Sequence, residues 1–282
     1  MTEISDYKAG LLQSAQGKEE DISSGAERLR ELATSHDRIK NLIARLSDPD
    51  AEAEDLVNAL NDLKIISNFS KLLSKYSAEV TNALRGLMNS ENPEVRRQAL
   101  SYLALTGDGV AFEHLRDELE ASPPEAEKSV PTSQAIAMLS VHEKGIDKKL
   151  LLNVVQNPPD NASLVEAVRH LPADAETTDA LVALLEDAKK PIAARALVPD
   201  LVNKVDPGAF ARIARRILEE EGSDSEIAPY LARGAARFQP EQATDDVDAL
   251  IGMIETMVDE GSQSFKKAAD LVKRSKATDL DH

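Results

Sequence analysis

Cysteine is absent from this chain of 282 residues, and so is tryptophan. Without a thiol there is no disulfide, no cysteine nucleophile and no thiolate metal site. Aromatic residues make up only 3% of the chain, although 42% of it is apolar. The core must therefore be built from Leu, Ala, Val and Ile. Such side chains suit close helix–helix packing and are a poor start for a β-sandwich, whose strands favour aromatic and β-branched residues. Positive charge is also in deficit: 33 Lys and Arg stand against 50 Asp and Glu, a formal charge of −17. Phosphate contacts need a positive surface, so bulk nucleic-acid binding is disfavoured and a basic partner is the natural complement. No apolar run approaches the roughly 20 residues of a membrane span. The opening MTEISDYKAG is acidic and carries no apolar stretch, so it does not read as a signal peptide. A soluble, cytoplasmic protein without membrane insertion is the expectation.

Chemistry-bearing motifs are missing as well. TGDGVAF at Thr106–Phe112 has neither the glycine spacing nor the lysine of a phosphate loop, and reads as a helix–helix turn. There is no HExxH and no GxSxG. Of the five histidines, His36, His114, His142, His170 and His282, none has a second histidine at metal-ligand spacing. No cofactor and no catalytic or metal-ligating residues are expected.

What the chain does contain is helical periodicity. GAERLRELA puts Leu29, Leu32 and Ala33 on one face, and HDRIKNLIARL does the same with Ile39, Leu42, Ile43 and Leu46. DAEAEDLVNALNDL follows with Leu56, Ala59, Leu60 and Leu63. Between Ile65 and Asn89 the pattern predicts a short helix to about Ser74 and a second from about Ala78 to Met88. From residue 93 onward the helices come in pairs, starting near Pro93 and Val110, Pro131 and Ile146, Ala162 and Glu176, Ile192 and Gly208, and Glu226 and Asp246. First members recur about 30–38 residues apart, a period that marks stacked repeats whose faces are buried only against neighbours. The connections carry Pro, Gly, Asp or Asn, as in NPPDN, KVDPG and EGSDSE. Pro199 falls inside PIAARALVPDLVNKV and predicts a kink.

The segment NPEVRRQALSYL resembles the first helix of a HEAT repeat: Pro93, then Val95 and Arg96, Ala99 and Leu103. The repeat at Pro131 keeps Ala135, Ile136 and Leu139, and the one at Pro191 offers Arg195 shifted by a residue. The resemblance implies an all-α, right-handed α-solenoid of stacked antiparallel helix pairs, armadillo-like in its architecture. The division would be an N-terminal cap or degenerate repeats at 1–89, the array at 90–261 and a C-terminal capping helix and tail at 262–282. It further implies that Arg96 ties neighbouring repeats through carboxylates or carbonyls, and that the second helices of the pairs line an inner curve. Candidate partner-binding residues on those helices are Glu113, Arg116, Asp117, Glu120, Asp179 and Glu186.

Basic residues cluster twice. FARIARRILEEE places Arg212, Arg215 and Arg216 on one side of a helix, with Glu219 and Glu220 positioned to pair with Arg215 and Arg216. SFKKAADLVKRSKA carries Lys266, Lys267, Lys273 and Arg274 opposite a docking face of Phe265, Ala268, Ala269 and Val272. The leading expectation is a non-enzymatic scaffold or adaptor for a protein or peptide partner, basic by charge complementarity. The alternative is a HEAT-like DNA-binding protein or DNA glycosylase, against which the charge argues.

Overall fold

The structure, a computed structural model, describes residues 35–69, 72–141, 145–239, 242 and 244–279. The helix expected around Leu29 lies outside them, as do His142 and His282. The described residues are all-α, packed as two compact units, residues 1–145 and 146–282. The boundary falls inside the region read from sequence as one array.

In the first unit, α1 (His36–Leu46), α2 (Ala53–Phe69), α3 (Ser77–Leu87), α4 (Pro93–Leu105), α5 (Gly109–Ala121) and α6 (Thr132–Ser140) alternate between two rows. The pairs α1–α2, α3–α4 and α5–α6 pack together, α2, α4 and α6 follow one another in one row, and α1 packs on α3 in the other. A short apolar word builds the row of α2, α4 and α6. It reads Ala59-Leu60-x-x-Leu63, then Ala99-Leu100-x-x-Leu103, then Ala135-Ile136-x-x-Leu139, and each of these side chains is at most 3% exposed. The small alanine lets the neighbouring helix approach, and the aliphatic residues fill the space between rows.

The second unit, taken by itself, also alternates between two rows, with α7 (Lys148–Gln156), α8 (Asn161–His170), α9 (Ala175–Glu186), α10 (Ile192–Arg195), α11 (Val198–Val205), α12 (Pro207–Glu221), α13 (Ala228–Ala235), α14 (Asp245–Met257) and α15 (Gln263–Asp279). One row runs α7, α9, α12, α14, and the other runs α8, α10 with α11, α13, α15. The apolar word recurs as Ala167-Val168-x-x-Leu171 and Ala268-Ala269-x-x-Val272, again buried. Phe265 joins the latter, so the docking face expected on the last helix is the one that packs.

The polar punctuation between helices is spent on caps. Asn92 accepts from the backbone N–H of Glu94 and Val95, Asp108 from Ala111, Asp160 from Ser163 and Asp206 from Ala209. Asp174 and Thr177 form a reciprocal capping box. Each satisfies backbone donors that the first turn leaves open. The TGDG turn holds Gly107 at φ 79°, a left-handed conformation that glycine adopts without a Cβ clash.

Two local expectations are corrected. α2 is continuous from Ala53 to Phe69, and a 3₁₀ turn at Leu73–Tyr76 leads into α3. Leu60, Leu63 and Ile66 all reach the core, which holds the helix together past the Ser and Asn of ISNF. Pro199 does not kink one long helix; it sits in the first turn of a separate helix, α11, where its missing N–H leaves no bond unmade.

A candidate binding groove on the first unit

The face of α4 opposite its core residues forms the floor of a groove of about 510 Å³. Glu94, Arg97, Gln98, Ser101, Tyr102 and Leu105 contribute from α4, at the three- and four-residue steps that share a helix face. Asn61, Lys64 and Ser67 of α2 form one wall, with Leu60 beneath them, and Gln134 of α6 contributes from the other side. Thus the row of three helices builds the site, with α4 at its centre.

Leu105 is 78% exposed, in contrast to Leu103, which is fully buried two residues earlier. Tyr102 is half-buried beside it. Burial raises the Tyr102 phenol above its ordinary pKa, and a hydrogen bond with Ser67 opposes the rise. The Thr106 hydroxyl donates back to the Leu103 carbonyl at 3.0 Å, closing the end of α4. Glu94 accepts from Gln98 Nε2 at 2.7 Å and pairs with Arg97. Those two hydrogen bonds, Gln98 first, hold the Glu94 carboxyl below the usual carboxylate range, so it is an anion already engaged on its own helix.

Most of the side chains singled out from sequence lie elsewhere. Glu113, Asp117 and Glu120 are exposed and Arg116 half-buried on α5, and Asp179 is exposed on α9; none lines the groove. Glu186 is an ion-pair partner of Arg216. Arg212 binds Asp246 at 2.8 Å, and Arg215 approaches the same carboxylate at 3.9 Å. The expected pairing of Arg215 and Arg216 with Glu219 and Glu220 is therefore replaced by partners on α14 and α9. On α15, Lys267, Lys273 and Arg274 are exposed and Lys266 is half-buried.

Arg96 donates to the carbonyls of Ser90 at 2.6 Å and Glu91 at 3.0 Å, in the connection leading into its own helix rather than on a neighbouring repeat. The firmer ties between helices were not foreseen. Arg85 of α3 binds Asp108, the cap of α5, at 2.7 Å. Lys148 at the start of α7 binds Asp174, the cap of α9, at 3.0 Å. Arg195, with its side chain 5% exposed, donates to the Leu185 carbonyl at 2.9 Å and to Glu221 at 2.5 Å. His114 contacts the Ser129 hydroxyl at 2.9 Å, and Glu118 accepts from both the Ser129 N–H and its hydroxyl. This network clasps the loop before α6 to α5. Among the described residues, no three His, Asp or Glu side chains form a cluster able to hold a metal ion.

The groove was missed because its polar residues look, one helix at a time, like a solvated face. One signal was present: Tyr102 and Leu105 lie three apart, off the buried stripe of Val95, Ala99 and Leu103.

The architecture places the chain among all-α proteins built of stacked helix pairs. No protein family, curated protein or solved structure matches the chain.

Proposed function

We propose that the helix pairs are HEAT-like repeats of a right-handed α-solenoid, and that the chain is a non-enzymatic cytoplasmic scaffold holding a protein or peptide partner. The observation that carries this reading is the groove along α4. It pairs an exposed leucine and a tyrosine with amide and hydroxyl side chains, the mixture of apolar seat and neutral hydrogen-bonding groups that suits a polypeptide. Two of its ionisable groups are poorly disposed for proton transfer: Glu94 is engaged by Arg97 and Gln98, and Tyr102 is pushed further from neutrality. Of the two basic clusters on which the nucleic-acid alternative draws, the arginines of α12 are engaged by Asp246 and Glu186, and the exposed cations of α15 belong to a chain whose formal charge is −17.

Photo-crosslinking from position 105, with position 117 on α5 as the control, tests the reading in native cell extract. Protein adducts formed at 105 and not at 117 are expected. Adducts with nucleic acid, or protein adducts confined to 117, would replace it.

A further inference from the structure

The connection between α5 and α6, residues 122–131, has little apolar material to hold it down. Its one buried apolar side chain is Val130, at 2% exposure. It leaves α5 at Ser122, whose φ of 47° is left-handed, a conformation that residues other than glycine rarely adopt. Pro123, Pro124 and Pro131 bring no backbone donor. Polar contacts hold this strap instead, and two carboxylates receive them. Segments secured by so few apolar contacts open ahead of the core around them.

Glu118 of α5 accepts the Ser129 N–H at 2.9 Å and the Ser129 hydroxyl at 2.6 Å. Because that hydroxyl spends its proton on Glu118, its oxygen is left to accept, which makes His114 Nε2 the donor across 2.9 Å. Glu125, within the strap, accepts the Thr132 N–H at 3.1 Å and the Thr132 hydroxyl, and takes the Lys128 ammonium at 2.6 Å. The Lys128 side chain is 4% exposed, so loss of Glu125 leaves a desolvated cation without its counter-charge. Thr132 opens α6, and Pro131 before it gives no side-chain cap. Glu125 therefore caps α6 from seven positions upstream. Gln134 stands in the same first turn, its N–H bonded to the Pro131 carbonyl at 2.9 Å, and it lines the groove from the α6 side.

We propose that the strap is a latch on the groove. Closed on Glu118 and Glu125, it fixes the first turn of α6 and sets Gln134 as the groove's α6 wall. Released, it lets that turn unwind, and the wall withdraws while Ala135, Ile136 and Leu139 keep the rest of α6 packed. The two states give the groove two widths, and an occupant that needs the wider one draws the population toward it. The latch governs the shape of the groove, so it stands independently of what the groove holds.

Because the chain has no cysteine, nitroxide labels at Asn61→Cys and Gln134→Cys report on the two walls alone. Dipolar EPR on the full chain should give one narrow distance distribution. Glu118→Ala or Glu125→Ala, introduced into the labelled chain, should add a second population at longer distance. In the unlabelled chain each substitution should speed hydrogen exchange about tenfold at the N–H it releases, Ser129 and Thr132 respectively. Exchange in α2 and α4 should match the parent. Glu118→Ala leaves Lys128 paired, so it keeps the test readable if Glu125→Ala unfolds the unit. Faster strap exchange with an unchanged distance would overturn the proposal, since the groove would then ignore the strap. Unchanged exchange would overturn it as well, because Val130 would be the holding contact. So would faster exchange throughout α2 and α4 in Glu118→Ala, which would make the strap part of one cooperative unit.

Discussion

Arg195 and Glu221 meet across 26 positions of sequence through a guanidinium–carboxylate contact of 2.5 Å at the junction of α10 and α12. The arginine also holds the carbonyl of Leu185 at the end of α9, so one buried cation joins three helices. Its side chain is 5% exposed and that of Glu221 25%. Removing one partner of such a pair leaves the other desolvated and unpaired, a loss of about 3 kcal/mol. Arg195→Ala should lower the urea midpoint accordingly, with an unchanged slope if the two units still unfold together. A double replacement by Met at 195 and Leu at 221 should recover much of the loss, because it leaves no buried charge behind.

Leu103 and Leu105 are both on α4 and face opposite ways. Leu103→Ala should cost about 2–5 kcal/mol, since it empties part of the core between the rows. Leu105→Ala should stay within about 0.5 kcal/mol, as an exposed substitution does. Chemical denaturation of both variants checks the contrast. Equal losses would mean that Leu105 is a packing residue, and the groove would lose its apolar seat.

Asp108 supplies an acid-sensitive contribution to the first unit. Burial pushes its carboxyl up, but the hydrogen bonds from Arg85 and from the Ala111 N–H outweigh burial, and its pKa is lowered in the folded state. A carboxylate with a lowered folded pKa stabilises the fold fully above its ordinary value of about 3.9. That stabilisation is lost as pH falls from there through the folded pKa. Thermal unfolding followed from pH 7 to pH 3 should show a steep loss below about pH 4. Asp108→Asn should be less stable at neutral pH and show a shallower decline. The same direction holds for Glu125, where burial is outweighed by hydrogen bonds from Lys128 and Thr132.

Gly234 is needed for its lack of a side chain. A Cβ there would lie 2.7 Å from Phe210 Cζ and 3.0 Å from Pro199 Cβ, where α13 crosses α11 and α12. Gly234→Ala should overpack this crossing and cost about 1–3 kcal/mol, despite the better helix propensity of alanine. Gly86, in α3, has no atom within 4 Å of such a Cβ. Gly86→Ala should therefore be neutral or stabilising, so the pair of melting temperatures separates packing from propensity.

The positions of most helices were readable from the chain. Periodicity of Leu, Ala, Val and Ile marks the inward face, and Asn92, Asp108, Asp160 and Asp174 mark the starts, because both signals act within one or two turns. The end of α2 was misplaced because its last turn is held by core contacts of Ile66, which outweigh the weak helix preference of nearby Ser and Asn. The division of Ile192–Val205 at Pro199 was half-legible: proline marks the break, but a kink and a fresh start look alike until the backbone is seen.

The sequence by itself determined the all-α class, the lack of thiol chemistry, the acidic balance and the side of each helix that turns inward. These follow from composition and from spacings of three and four residues, which need no partner. Only the tertiary structure decided which charges meet and where a groove forms. Arg85 finds Asp108 across 23 positions, Lys148 finds Asp174 across 26, and Arg212 finds Asp246 across 34. Glu219 and Glu220, near at hand, are left to solvent. A helix surface offers several reachable opposite charges, and the neighbouring helix selects among them. In the same way Asn61, Gln98 and Gln134 are ordinary polar residues of three separate helices until packing sets α2, α4 and α6 side by side.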